Sequence, residues 1–411
     1  MIWLYVGRCC DLNGVGPRAL RSGARQLSAR PVSRRKDQGE QRMNSLRRVC
    51  RGIAGSLILA AAMVVQPALA KDKEVRIFNW SDYIDPEILT DFTKETGIKV
   101  VYDVFDSNEV LETKLLAGGS GYDVVVPTGP FLSRQIEAKV FQKLDKAKLP
   151  NLANMWPEIA KRSSIYDPDN LYSINYMWGT TAFGYNEAKI KERMADAPVN
   201  SWDMIFKPEI LSKFKDCGIH MLDAADDILP AALNYLGLDP NSKSADDIKK
   251  ATDLLATVRP NIQKFHSSEY INALANGDIC LAVGYSGDIL QARNRAAEAK
   301  NGNVIAFGLP KEGAQMWFDQ MAIPVDAKHV EEAHIFLNYM MKAEVIAKAS
   351  NFVSYANGNL ASQQFLDEAV KSNKSVYPDD DTMKRLFVKT SYDAKTQRIV
   401  TRAWTKMVTG K

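Results

Sequence analysis

The segment EVRIF at 74–78 alternates polar and apolar residues, the period of a half-buried strand. Asp85-Pro86 follows as an N-cap and first-turn proline. Ile88, Leu89 and Phe92 then form one apolar helical face, and Gly97 is placed to end the helix. IKVVYDVF at 98–105 predicts the next strand, and Asp106 with Glu109 predicts a capping box for the helix EVLETKLLAG. After a glycine-rich turn at 118–121, YDVVV at 122–126 is continuously apolar, as in a parallel sheet covered on both faces. This β-α-β-α-β order predicts an α/β fold.

Residues 172–186 (YSINYMWGTTAFGYN) read as two short strands, with Gly-Thr-Thr in the middle suiting a passage between lobes. A second α/β region over 187–300 holds helices at 226–235 and near 245–258 and a strand at 278–284 (DICLAVG). NVIAFGL at 303–309 predicts a returning strand, and the remainder reads as mostly helical, notably over 331–349. No internal repeat is visible. One lobe, an excursion into a second and a return predict a hinged two-lobe protein. Its ligand would sit in the crevice at the carboxyl ends of strands. The expected division is 71–183 for the first lobe, 184–305 for the second, and 306–411 for the return, with C-terminal helices packing across both.

The first 70 residues stand apart. Residues 1–42 are Arg-rich and lack an apolar period, and read as an extension. Over 43–70, a basic start at Arg47, Arg48 and Arg51 precedes the apolar run IAGSLILAAAMVV and a site ending in Ala-Leu-Ala, the signature of a secretory signal peptide. The run is shorter than the roughly 20 residues of a membrane span. Translation is expected to start at Met43 and the mature chain at Lys71, in the periplasm. The full chain carries +4, but the first 70 residues hold 12 Lys and Arg against 3 Asp and Glu. Residues 71–411 hold 41 against 46, a net −5. The basic balance therefore belongs to the leader, and a nucleic-acid partner is not expected. Of five cysteines, Cys9, Cys10 and Cys50 fall in the leader. Cys217 and Cys280 remain, either paired in an oxidising compartment or left as buried thiols.

Catalytic sets are absent from the pattern. His220, His266, His329 and His334 show no metal spacing, and His334 lies in an apolar helical stretch where packing explains it. There is no phosphate loop and no nucleophile elbow. GGSGY at 118–122 precedes a strand, and no Tyr-Tyr pair ends a strand as ferric-iron ligation would need. An enzyme, a cofactor and a metal are accordingly not expected. What recurs is an aromatic ring beside a carboxylate: Trp80-Ser81-Asp82-Tyr83, Tyr285-Ser286-Gly287-Asp288 and Trp317-Phe318-Asp319. Each alone reads as a turn or cap. Together they point to an organic cation, because ring faces attract ammonium groups and cover methylenes while carboxylates meet the charge.

Several blocks carry a resemblance over about 75–411. They are NWSDYI, ETGIKVVYDVFDSNEVLETKLLAG, YDVVVP, LNYLG, RPNIQKFHSSEYINALANGDIC and TRAWTKMVTGK. In these the chain resembles the periplasmic putrescine/spermidine-binding proteins of bacterial polyamine ABC transporters, most closely the putrescine-binding branch. The resemblance implies a type II periplasmic-binding-protein fold whose two lobes close on the ligand and dock on a membrane permease. It implies a monomer that captures putrescine, with spermidine, cadaverine or agmatine, or a sensing role, as alternatives. It implies an aromatic box of Trp80, Tyr83, Tyr285, Trp317 and Tyr355. Ser81, Asp82 and Asp319 would meet one end of the ligand, Asp226 and Asp288 the other, and Thr128 would supply a hydroxyl. It also pairs Cys217 with Cys280. Tyr285 stands where a Trp is usual, Trp317 for a Phe, Asp226 for a Glu and Thr128 for a Ser. With Asp227 adjacent to Asp226, either could face the cleft.

Overall fold

The computed structural model describes residues 73–410. The extension, the signal peptide and Cys9, Cys10 and Cys50 lie outside them. Nine strands carry the architecture: β1 Glu74–Trp80, β2 Lys99–Phe105, β3 Val124–Val125, β4 Ser173–Asn186, β5 Ile219–Met221, β6 Lys264–Phe265, β7 Leu281–Tyr285, β8 Ile305–Gly308 and β9 Gln315–Ala322. With two further two-residue strands, Ala356–Asn357 on β4 and Phe387–Val388 on β9, they form one mixed sheet ordered β2-β1-β3-β9-β4-β7-β5-β6, with β8 on β4. β1 pairs in parallel with β2 and β3, and β5 in parallel with β6 and β7. β4 and β9 run antiparallel between these two parallel groups.

The cores follow from strand geometry. Successive side chains of a strand point to opposite faces. Val75 and Ile77 of β1 therefore join one apolar cluster and Phe78 another. Val124 and Val126 likewise separate from Val125. A third cluster gathers Ala182 to Ile305 and also takes Val400, Trp404 and Met407 from the last helix, Ala394–Thr409. The helix predicted after β1 runs Pro86–Thr96. Asp85 caps its start, accepting from the Glu87 amide, and Gly97 ends it at φ 70.

Three expectations need correction. Residues 173–186 are one continuous strand, not two. Residues 173–181 pair with β9 and residues 181–185 with β7, so the partner changes at Thr181 while the strand runs on. The helix after β2 is capped by Ser107, whose hydroxyl accepts from the Val110 amide, and not by Asp106. Residues 331–349 fall in two helices, Val330–Met340 and Ala343–Val353. His334 is packed as expected. It is buried and accepts from the Asp145 amide at 3.0 Å. Cys217 and Cys280 form a disulfide, with Cα atoms 5.5 Å apart.

Candidate functional site

β1, β3 and β7 deliver their ends, and β9 its middle, to a common cleft with about 480 Å³ of space, open solvent included. Its walls include Trp80, Tyr83, Tyr285, Trp317 and Tyr355. Tyr285 meets Trp317 at 5.6 Å between ring centres, Trp317 meets Tyr355 at 5.2 Å, and Tyr355 meets Tyr83 at 5.3 Å, all edge-on. Edge-on contact is a favoured aromatic geometry and leaves ring faces free to line the space. Trp80 is fixed by its Nε1, which donates to the Val126 carbonyl at 2.9 Å. Gly179 and Gly287 make room. A Cβ at Gly179 would lie 2.6 Å from the Trp317 ring, and one at Gly287 2.5 Å from the Tyr355 ring.

Four carboxylates line this space, Asp106 near His266 and three others, each of the three held by hydroxyl donors. Asp319, on β9, accepts from Thr128 Oγ1 at 2.7 Å and Tyr83 Oη at 2.8 Å. Asn108 donates to the Thr128 hydroxyl oxygen at 3.0 Å, which directs the hydroxyl proton toward Asp319. Asp288, in the first turn of the helix Ser286–Ala299, accepts from Tyr270 Oη and Tyr355 Oη, both at 2.6 Å. Both phenols also accept backbone amides, Tyr285 N at 3.0 Å and Asp288 N at 3.1 Å respectively, so their protons are likewise committed to Asp288. Asp227 accepts from Thr181 Oγ1 at 2.8 Å, Gln315 Nε2 at 3.0 Å and Tyr285 Oη at 3.3 Å.

These donors favour the ionised carboxylates, but burial opposes them. Burial pushes Asp319 up to about 7, against the pull of Thr128 and Tyr83. It pushes Asp227 up to about 7 and Asp288 to about 6, again against their donors. The negative charges of Asp227 and Asp288 raise Asp319 further. No Lys or Arg lines the cleft among the described residues. The arrangement is an aromatic-walled space with uncompensated negative charge, suited to a linear organic cation with separated charges.

Of the residues singled out from the sequence, Trp80, Ser81, Tyr83, Thr128, Tyr285, Asp288, Trp317, Asp319 and Tyr355 come together here. Asp82 and Asp226 do not. Asp82 adopts a left-handed φ of 55, which turns its carboxylate outward to accept from Arg295 Nη2 at 2.7 Å. Asp226 lies in the first turn of the helix Ala225–Tyr235 and faces Arg134, while its neighbour Asp227 faces the cleft. Ser81 reaches the cleft wall, though its hydroxyl donates to the Phe105 carbonyl at 3.3 Å. Sequence reasoning missed Tyr270, Thr181, Gln315 and Asn108. All four act behind the surface of the cleft, and no local pattern marks them.

The family of bacterial extracellular solute-binding proteins matches residues 87–378. The chain is 52% identical over 361 residues to the putrescine-binding periplasmic protein PotF of Escherichia coli, covering 87% of this chain and 97% of that one. It is 50% identical to the putrescine-binding periplasmic protein SpuD of Pseudomonas aeruginosa, with the same shares covered. The solved structure of the spermidine/putrescine substrate-binding protein PotD from Streptococcus pneumoniae superposes with a TM-score of 0.66 at 33% identity. That match covers 82% of this chain and 98% of that one.

Proposed function

The chain belongs to the bacterial extracellular solute-binding proteins, and on that premise we propose that it captures putrescine in the periplasm and delivers it to the permease of a polyamine ABC transporter. It is a binding protein and not an enzyme. The observation that carries this reading is Asp288 and Asp319, two buried carboxylates in one ring-walled cleft that no Lys or Arg lines among the described residues. Each ammonium group would meet one of them, and the methylenes between would lie against Trp80, Trp317 and the tyrosines. Trp80, Ser81, Tyr83, Thr128, Asp227, Tyr285, Asp288, Trp317, Asp319 and Tyr355 form the proposed site. Relatives that are named for putrescine binding, at half identity over nearly their whole length, support the ligand class.

We place the lobes at 71–183 and 184–305, with 306–411 returning to the first. The change of partner along β4 at Thr181 supports that boundary. The last helix, packed in the core of residues 182–305, carries the return across to the second lobe. The protein acts as a monomer on a free polyamine. A thermal-shift panel of diamines and triamines tests the reading, because a ligand that binds only the folded state raises its stability as RT ln(1 + [L]/Kd). Putrescine should raise the unfolding midpoint. No shift with any polyamine would overturn the proposal.

A further inference from the structure

The aromatic box is not closed at its Asp227 end. Beside Asp227, Ser267 and Tyr285 it continues into a narrow passage that Glu109 and Asp226 also line. Beyond lies a wider chamber of about 1330 Å³ of open space between Glu109, Asp223, Asp226 and the last helix. Asp226 is only 8% exposed, and its Oδ1 has no hydrogen-bond partner. An unpaired buried carboxylate oxygen is costly and waits for a cation. A polyamine longer than the box would thread its next ammonium group here.

One side chain stands in the way. Arg134, from the helix Gly129–Glu137, is the one Arg or Lys lining passage or chamber among the described residues. Its guanidinium is built in. Nε and Nη2 donate to Glu112 at 2.6 and 3.0 Å, and its carbon lies 3.6 Å from the centre of the Phe131 ring. The remaining Nη1 points at Asp226 Oδ2, 3.6 Å away, with no closer partner. A fork fixed at one edge and stacked on one face cannot swing aside cheaply. Lys389, buried over the Tyr392 ring, adds positive charge toward Asp226 from behind.

We propose that Arg134 is a specificity-determining residue, an internal counter-cation that occupies Asp226 and so excludes the third charged group of longer polyamines from the cleft. The proposal rests on the reading of the cleft as a polyamine site. Asp227, Asp288 and Asp319 remain for the ligand, while Asp226, the buried carboxylate of the passage with an unpartnered oxygen, already faces a cation of the protein. Arg134 acts by charge and by volume, since a third ammonium would have to share Asp226 with a guanidinium of the same sign.

The test is calorimetry of the full-length mature protein with putrescine and with spermidine, the linear triamine, read as the ratio of the two affinities. Arg134→Met keeps an apolar stem against Phe131 and removes the charge. The ratio should move at least tenfold toward spermidine. Arg134→Lys, which keeps the charge, should retain most of the diamine preference. In the double variant Arg134→Met with Asp226→Asn, the gain for spermidine should disappear. A ratio unmoved in Arg134→Met, or a gain that survives loss of the Asp226 charge, overturns the proposal. If Arg134→Met does not fold, Arg134→Gln carries the same test. Failure of the wild-type protein to bind either amine would instead strike at the polyamine reading itself.

Discussion

Tyr355 and Asp288 exchange two hydrogen bonds. The phenol donates to Oδ1 at 2.6 Å and accepts the Asp288 amide at 3.1 Å. The pair joins the end of the helix Ala343–Val353 to the start of the helix Ser286–Ala299, and it fixes the carboxylate before any ligand arrives. Asp288→Asn should lower putrescine affinity by more than about tenfold, since one buried ammonium loses its counter-charge. Asp319→Asn should do the same. Tyr355→Phe keeps the charge and leaves the Tyr270 donor in place, so it should cost less than Asp288→Asn, about 1 kcal/mol for one lost hydrogen bond. Calorimetry decides, and unchanged affinity in both Asn variants would remove these residues from the site.

Acidity should oppose binding. Asp227 and Asp319, near 7, and Asp288, near 6, must be ionised to meet ammonium groups. Titrating from pH 8 to pH 5 should weaken putrescine binding progressively, and binding near pH 6.5 should release protons. Calorimetry in buffers of different ionisation enthalpy would detect that release. Equal apparent enthalpies across buffers would contradict it.

The ligand-free protein should respond in the opposite sense. A carboxylate raised in the folded state binds protons more readily there than in the unfolded chain. Its contribution to stability therefore falls as pH rises between about 4 and 7. For these three groups, the ligand-free unfolding midpoint should be higher at pH 5 than at pH 8. Asp319→Asn should flatten that slope. A wild-type midpoint that only rises with pH over this range would refute the argument.

Asp82, between Ser81 and Tyr83 of the cleft wall, pairs at 2.7 Å with Arg295 of the helix that carries Asp288, both with substantial exposure. Exposed pairs contribute about 0.2–1 kcal/mol. Arg295→Ala should therefore weaken putrescine binding only a few-fold, chiefly through faster release in stopped-flow measurements. The difference from wild type should shrink in high salt. A loss as large as that of Asp288→Asn would place this pair inside the site.

The Cys217–Cys280 bridge closes a 63-residue separation. In the chain-entropy model that constraint contributes about 4 kcal/mol. A Cys217→Ser, Cys280→Ser variant should unfold at markedly lower denaturant. Its putrescine affinity should change little, because the bridge lies in the apolar core behind β7 and outside the cleft wall. Loss of affinity in a variant that remains folded would contradict this.

Much of the fold and the site is legible in the sequence. The alternation at 74–78 and the capped helix after it are readable because strand and helix periods are local. The clusters at Trp80 and Tyr285 are readable because they sit at strand ends, and Trp317-Phe318-Asp319 because a carboxylate interrupts an otherwise largely apolar strand interior. The choice between Asp226 and Asp227 is not. The two are adjacent in the first turn of a helix, about 100° apart around its axis, so the pattern of the sequence leaves them equivalent. Asp82 misleads for a related reason. Its orientation comes from a left-handed turn and from an arginine 213 positions away. Tyr270 is invisible because a fully buried tyrosine in an apolar helix reads as core, and its role depends on where its hydroxyl ends. The glycine that suggests two strands over 172–186 proves to be clearance for Trp317 and not a break.

The unbroken course of β4 constrains how the molecule can move. A short flexible linker would let the lobes swing, slide and rotate independently. A ladder that runs with β9 up to Thr181, with one bulge between Asn175 and Met177, and with β7 beyond it permits bending but resists slippage, because sliding by one residue would turn the side chains to the other face. The ladder therefore favours bending at β4 over sliding of one parallel group past the other. Gly179 and Trp317 are partners within that ladder, so the ring keeps its seat as long as the ladder holds, and the contact from β4 to the second parallel group that completes the box is the Thr181 hydroxyl on Asp227.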